Sequence, residues 1–168
     1  LNLMPSGTGK GHSTNIIEEL VINEFKRNFL DNVFPNRAAL NIGKLARAEA
    51  IKSGEDEDAC REKLQKEFDS AGELLFSFDS GTAPATKQMR HKLLLAEAGS
   101  MNLEMDEVGS NLQGNFEMLN TFLELYDVGK VKQKLIKSTS ENKRNTDLDG
   151  KTPTNMMLFG TPTKLLDG

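Results

Sequence analysis

What this chain lacks excludes several classes of protein. Its single cysteine, Cys60, excludes an internal disulfide framework and fits a reducing compartment. No apolar run approaches the ~20 residues that span a membrane, and no secretory signal is visible. His12 and His91 have no other His or Cys at metal-ligand spacing. We therefore expect neither a disulfide-stapled domain, nor a membrane protein, nor a zinc site of the usual spacing.

Strong positive charge is also missing. The 168 residues carry a net charge of −4, which argues against a uniformly basic coat for nucleic acid but allows a local basic element. A hydrophobic share of 37% is low but can support a core, and the length suits one domain. The chain lacks an initiator methionine and stops at Asp167-Gly168 as another helix begins, so we expect an excerpt of a longer protein.

The most informative stretch that is present lies near the start. Residues 4–13 read MPSGTGKGHS, between a short apolar strand at 1–4 and a helical pattern at 12–30. Glycines let successive N–H groups curl around an anion, and a helix N-terminus adds positive potential. This layout is typical of a phosphate-binding loop whose lysine reaches the outer phosphates. We therefore predict binding of ATP with Mg²⁺ by Ser6, Gly7, Thr8, Gly9, Lys10, Gly11, His12 and Ser13.

Two positions depart from the usual loop pattern, G-x-x-x-x-G-K followed by Ser or Thr. Met4 replaces the first glycine, although Gly7 still supplies a flexible residue inside the turn. Gly11 replaces the residue whose hydroxyl normally touches Mg²⁺, and Ser13 lies two residues late as a substitute. Nucleoside monophosphate kinases have a similar GKG sequence. The alternative interpretation is an ordinary glycine-rich turn before a helix.

Hydrophobic periodicity predicts an α/β fold. Further helices are expected at 37–52 after a break at Pro35, from the acidic run 55–58 to about residue 71, at 84–97 and at 112–126, with strands at 74–78, 100–105 and 154–159. Strands that alternate with helices predict a mainly parallel sheet covered on both faces. The acidic run is interpreted as a solvated helix start rather than a metal site.

Two strand ends carry further candidate site residues. Residues 101–107 read MNLEMDE, so Asp106 would hold Mg²⁺ and Glu107 would orient and deprotonate the attacking water. A solvated acidic corner is the alternative. Thr161, after strand 154–159, would sense the γ-phosphate or the water; alternatively it is the N-cap of a helix that begins at Pro162. The inserted strand 74–78 would let the loop strand and the acid-pair strand neighbour each other in the sheet.

A basic segment interrupts this acidic chain within an insertion at 128–152. Between residues 130 and 144, six cations stand against Glu141 alone: Lys130, Lys132, Lys134, Lys137, Lys143 and Arg144. Val131, Gln133 and Leu135 alternate with the first lysines, which suggests a strand of an exposed hairpin that contacts phosphates along a nucleic-acid strand. No aromatic residue lies inside it, so base stacking is not predicted. A solvated charged loop is the alternative.

Together these motifs resemble the ATPase core of phage and plasmid primase-helicases, P-loop ATPases of the AAA+ and RecA-like class. The resemblance covers about residues 1–13 and 74–168 and rests on PSGTGKG, FDSGTAPATKQM, MDEVGSNL, FLELYDVGKVKQKL and MMLFGTPTKLL. Leu125-Tyr126-Asp127 and Gly129 fit the family's turn with one inserted residue. The departures are Met4, Gly11 and the lack of a visible arginine finger, for which Arg144 is the candidate in a neighbour's site.

The resemblance implies an ATP-hydrolysing motor in DNA replication. It further implies a homo-oligomeric ring, single-stranded DNA gripped by the basic lysines in the central channel, and a location in the host cytoplasm. Three alternatives stay open: an assembly or packaging ATPase that does not unwind DNA, a small-molecule kinase, and a non-catalytic nucleotide-binding module. The kinase is disfavoured because the chain has no arginine cluster for a mobile lid.

Overall fold

Three parallel strands form the sheet in the part of the chain that the structure describes. The computed structural model describes residues 2–3, 9–79, 81–105, 116–130 and 150–161. The strands are β1 (Asn2–Leu3), β2 (Met101–Met105) and β3 (Thr154–Gly160). Their order in the sheet is β1-β3-β2, with Leu3 paired to Gly160 and Met105 paired to Leu158. β2 and β3 confirm the strands predicted at 100–105 and 154–159.

The predicted neighbouring of the loop strand and the acid-pair strand is wrong, because β3 lies between β1 and β2. β3 carries the continuous apolar run Met156 to Phe159, whereas Asn102 and Glu104 interrupt β2. Continuous apolar strands suit the interior of a parallel sheet, where both strand edges are hydrogen-bonded. The apolar strand therefore takes the central place.

Helices make up most of the described chain. A continuous helical run comprises α1 (Lys10–Ile17), a π-helical turn (Glu18–Ile22), α2 (Asn23–Asn28), a second π-helical turn (Phe29–Val33) and α3 (Phe34–Ser53). Further along the chain lie α4 (Glu57–Ser70), α5 (Ala83–Ala96) and α6 (Phe116–Val128).

The predicted helix break at Pro35 is wrong. A proline inside an α-helix clashes with the carbonyl four residues earlier and removes one hydrogen bond. Here the π-helical turn Phe29–Val33 comes immediately before, and Pro35 lies in the first turn of α3. The wider i→i+5 spacing of a π turn makes room for the ring, so the helical run continues through the proline.

The acidic run at 55–58 starts a helix, as predicted. Gly54 ends α3 with a φ of +77°, and the Asp56 carboxylate caps α4 by accepting from the N–H groups of Asp58 and Ala59, both at 3.1 Å. Cys60 follows on the buried side of α4 with 2% of its surface exposed. Burial, and then the Glu55 carboxylate beside it, raise the pKa of the Cys60 thiol. A thiol held neutral in this way is a packing residue.

The predicted strand at 74–78 is reduced to one bridge. Only Phe78 pairs with β2: its N–H donates to the Asn102 carbonyl at 3.1 Å, and its carbonyl accepts from the Glu104 N–H at 2.9 Å. Leu74, which belongs to the same apolar pattern, is buried in the core cluster against which Phe78 also packs. The segment therefore contributes side chains to the core and a single bridge to the sheet.

One face of the sheet is packed against the helices. Met101, Leu103 and Met105 of β2 are buried in a cluster with residues from α3, α5 and α6. A second cluster, which includes Ile42, Ala46 and Leu64, joins α3 to α4 and α5. Lys92 adds a polar tie, since its ammonium donates to the carbonyls of Phe68, at 3.2 Å, and Gly72 near the end of α4. Burial lowers the pKa of Lys92.

The other face of the sheet is only loosely covered. A cavity of about 390 Å³ separates α1 and the following π turn from the outward side chains of β2 and β3. Several large apolar side chains of the helical run are exposed, namely Ile16, Ile17, Leu20, Val21 and Phe25. The expected covering of both faces is thus complete on one side and partial on the other.

Candidate functional site

The carboxyl ends of all three strands lie at one edge of the sheet. β1 and β2 both run parallel to β3, and Leu3, Met105 and Gly160 are each at or next to a strand's last residue. Neighbouring strands are about 4.8 Å apart, so the ends of β1 and β2 lie roughly 10 Å from each other with the end of β3 between them. This edge is where parallel sheets bind ligands.

The glycine-rich loop leads from this edge into α1. β1 ends at Leu3 and α1 begins at Lys10; residues 4–8, including the predicted Ser6, Gly7 and Thr8, lie outside the described residues. Gly9 has a φ of +82°, and its carbonyl accepts from the N–H groups of His12 and Ser13 at 3.1 and 3.2 Å. The predicted lysine therefore stands at the first helical position, directly after a left-handed glycine.

The start of α1 has the chemistry of an anion site. Within the described residues no side chain caps its first turn, and that turn contains no acidic residue. The first N–H groups of a helix have no partner inside the helix, and the aligned peptide dipoles make this end positive. The residues at 9–11 thus fit a phosphate group, with backbone N–H donors and a lysine at the same place.

The missing hydroxyl at Gly11 leaves open space. A Cβ added there meets no atom within 4 Å among the described residues. Thr14, one turn later, is half-buried and lines a cavity of about 520 Å³ together with Gly11, Ser77 and Glu104. His12 and Ser13 are exposed. Ser13 and Thr14 both line the cavity of about 390 Å³ against the sheet, and the sequence analysis considered only Ser13 as a substitute.

The acid pair itself, Asp106 and Glu107, lies outside the described residues. What the structure describes is the strand that leads to it. Met101, Leu103 and Met105 point into the core, and Asn102 and Glu104 point to the opposite face. Asn102 and Glu104 interrupt the apolar run of β2 in the sequence. Because side chains alternate between the two faces of a strand, these two polar residues share the face opposite the core.

Asn102 also carries a polar network that sequence reasoning missed. Its amide donates to the Phe76 carbonyl at 2.6 Å, and its Oδ1 accepts from Asn155 on β3 at 2.9 Å and from Ser100 at 2.9 Å. One side chain therefore connects β2 to β3 and to the segment at 76–78. The signal in the sequence was an amide in the second position of two strands, Asn102 and Asn155, which the register makes direct neighbours.

Thr161 lies at the expected end of β3. It follows Gly160, which is buried and paired to Leu3, and is itself half-buried. Thr161 is thus on the same edge as the loop. Residues from Pro162 onward lie outside the described residues, so both its predicted sensor role and its alternative as a helix N-cap stay predictions.

The basic segment leaves and returns at the opposite end of β3. Lys130 is described, whereas Lys132, Lys134, Lys137, Lys143 and Arg144 lie outside the described residues. Gly129 ends α6 with a φ of +70°, and its carbonyl accepts from the Thr152 N–H at 2.9 Å. Arg90 donates to the Gly150 carbonyl at 2.6 Å. The residues at the two ends of the insertion are therefore held together next to the start of β3.

Searches against known proteins add no assignment. No family model, curated protein or solved structure matches the chain. Across the described ranges, no three His, Cys, Asp or Glu side chains converge as a metal site would require. In the same part of the chain, no helix is long and apolar enough to cross a membrane. The candidate site is therefore argued from its own residues.

Proposed function

We propose that this protein is the ATP-hydrolysing motor domain of a phage-type DNA replication helicase or primase-helicase, with a P-loop ATPase fold. One observation carries the proposal. The parallel order β1-β3-β2 brings the end of the loop strand, the end of the acid-pair strand and Thr161 to the same sheet edge, beside the uncapped start of α1. Because Asp106 and Glu107 directly follow the acid-pair strand in the sequence, they would join the glycine loop and Thr161 at this edge in a site for a nucleoside triphosphate.

Each residue has a distinct role in the proposed reaction. The backbone at 7–11 and Lys10 bind the phosphates, and Asp106 would hold Mg²⁺, which would supply positive charge for the phosphate oxygens. Glu107 orients a water molecule in line with the γ-phosphorus and accepts its proton as the new O–P bond forms. The bond from the γ-phosphorus to the bridging oxygen breaks, and ADP leaves. Thr161 contacts the γ-phosphate or the water.

The motor role adds a second site for single-stranded DNA. The insertion that carries the basic lysines starts and ends beside the first residue of β3, and Thr161 follows the last residue of that strand. Seven residues of strand span roughly 20 Å, so DNA and nucleotide would bind at separate places connected by one strand. The resemblance to primase-helicases supports a ring in which a neighbouring subunit completes the ATP site, with Arg144 as candidate.

The test is ATP turnover by the full-length protein with and without single-stranded DNA. We expect DNA to stimulate turnover, and Lys10→Ala and Glu107→Gln each to lower it by about 10²-fold or more, because each removes a group that acts in the transition state. Lys52→Ala, an exposed lysine in the last turn of α3, is the matched control and should match the wild type. Equal turnover in Lys10→Ala and Lys52→Ala would refute the proposal.

The same assay separates the alternatives. ATP turnover without strand separation of a forked duplex favours an assembly or packaging ATPase. Phosphate transfer to an added nucleotide, with little stimulation by DNA, favours a kinase. Nucleotide binding with no turnover in either the wild type or Glu107→Gln favours a non-catalytic module.

A further inference from the structure

A depression with a basic rim lies at the end of the sheet where the strands begin. It has a volume of about 460 Å³ and lies between α3, the end of α5 and residues 150–153. Leu93, Leu94 and Asn41 contribute to its lining, and the Asn41 amide donates to the Leu95 carbonyl at 3.0 Å. Because this bond ties α3 to α5, the depression is a built part of the fold.

Three cations lie around this depression, and we call them the cationic rim: Arg37, Lys44 and Lys151. Arg37 and Lys44 reach from α3 to Glu97, which lines the depression, and Lys151 lines it from the other side. Gly129 lies against Lys151 and is hydrogen-bonded to Thr152, so Lys151 lies close to both ends of the basic insertion, which begins after Gly129 with Lys130. The rim is therefore continuous with the basic segment.

The charge of the rim is poorly neutralised. Arg37 and Lys44 share the single carboxylate of Glu97, at 3.7 and 3.8 Å, and all three side chains are about half exposed or more. Long, exposed ion pairs contribute little stability and are readily exchanged for another anion. Among the described residues that line the depression, Glu97 carries the only carboxylate. One carboxylate in this lining thus faces the three cations of the rim.

We infer that the cationic rim binds phosphates of single-stranded DNA where the strand meets the basic segment, and that Glu97 competes with DNA for Arg37 and Lys44. Charge complementarity and continuity with the basic insertion favour a nucleic-acid strand as occupant. The inference rests on the proposed DNA-motor function. It extends the DNA contact from the six predicted cations of the insertion onto α3, outside the part of the chain in which the family resemblance was found.

The test is binding of a fluorescently labelled oligothymidine to the full-length protein over a range of salt concentrations. A lysine that contacts one phosphate contributes a slope of about 0.7 in log K against log salt, so we expect Lys44→Ala and Lys151→Ala each to weaken binding about fivefold near 0.1 M salt. The double variant should lose about 1.4 from the slope. Glu97→Gln should strengthen binding, because it removes the competing carboxylate.

Controls separate this inference from general charge effects and from the proposed function. Lys66→Ala removes an equally exposed lysine on α4, where it pairs with Glu62, and should bind as the wild type does. If Lys44→Ala and Lys151→Ala bind like Lys66→Ala while Lys134→Ala binds weakly, the rim is excluded and the DNA motor stands. If the wild type binds no oligothymidine, both the DNA contact at the rim and the proposed DNA-motor function are refuted. Glu97→Gln keeps the test decisive if an alanine variant does not fold, since weaker or unchanged binding there contradicts the inference.

Discussion

At the residue level, three glycines with positive φ differ in what surrounds them and in the element that each begins or ends. Gly9, at φ +82°, places Lys10 at the first position of α1. Gly54 ends α3 at φ +77° with no atom near its Cβ position. Gly129, at φ +70°, ends α6, and a Cβ there would lie 3.2 Å from the Thr152 carbonyl oxygen and 3.4 Å from its nitrogen. Only the last glycine is required by both conformation and space.

This difference predicts unequal costs for the same substitution. Gly54→Ala should lower the free energy of unfolding by about 1 kcal/mol, which is the cost of the left-handed conformation alone. Gly129→Ala has the same conformational cost, and its new methyl group also presses against the backbone of Thr152, which joins the two ends of the insertion. The free energy of unfolding of Gly129→Ala should therefore be lower than that of Gly54→Ala. Urea denaturation of the two variants measures the comparison. A Gly129→Ala protein as stable as Gly54→Ala would show that the contact with Thr152 is not tight.

At the level of elements, the longest described element is the helical run that begins after the glycine-rich loop. Its last part, α3, has two distinct faces. Ile42 and Ala46 are buried against α4 and α5, whereas Leu40 is 65% exposed. Arg37 and Lys44, on the same helix, belong to the cationic rim. One face of α3 therefore packs against α4 and α5, and the same helix carries two residues of the proposed DNA contact.

The two faces of α3 predict opposite sensitivities. Ile42→Ala removes fully buried methyl groups and leaves a cavity, so it should lower the free energy of unfolding by about 2–5 kcal/mol. Leu40→Ala, a matched truncation on the exposed face, should change it by less than about 0.5 kcal/mol. Urea denaturation monitored by circular dichroism compares the two. Similar losses in both variants would mean that Leu40 is covered in solution.

At the scale of the whole molecule, the proposed nucleotide and DNA sites lie at the two ends of β3. The strand pairs on both sides, with β1 and β2, so its ends cannot shift independently of the sheet. The cavity on the loosely covered face lies along the same strand, between it and α1. If nucleotide binds at the glycine-rich loop as proposed, α1 is the element through which it would act on the rest of the domain, because α1 starts at that loop and lines this cavity.

Separate sites predict separate kinetic effects. Thr161→Ala should lower the maximal DNA-stimulated turnover without changing the DNA concentration that gives half of it, because Thr161 lies at the sheet edge of the proposed nucleotide site. Lys134→Ala should raise that half-saturating concentration and approach the wild-type maximum when DNA is in excess. DNA titrations of ATP turnover measure both quantities. A shift of both quantities in both variants would argue against two separated sites.

Local sequence determined much of the framework. The capped start of α4 follows from an aspartate before a helical pattern, α5 follows from Thr82 and Pro84 in the N-cap and first turn, and β2 and β3 follow from short apolar runs. The two helix starts depend on hydrogen bonds within a few residues, and the two strands are recognised from local apolar runs, although their pairing joins distant segments. The glycine loop and the charge of the basic insertion are likewise sequence properties, and the functions predicted for them stay predictions.

Tertiary structure decided everything that depends on residues far apart in the chain. The order β1-β3-β2, the single bridge at Phe78, the neighbouring of Asn102 and Asn155, and the meeting of α3 with residues 150–153 at the cationic rim all join segments more than 20 residues apart. The continuation through Pro35 depends on a π turn that no local preference announced. Periodicity reports which side of an element is buried, but the partner of that side is chosen only when distant segments pack together.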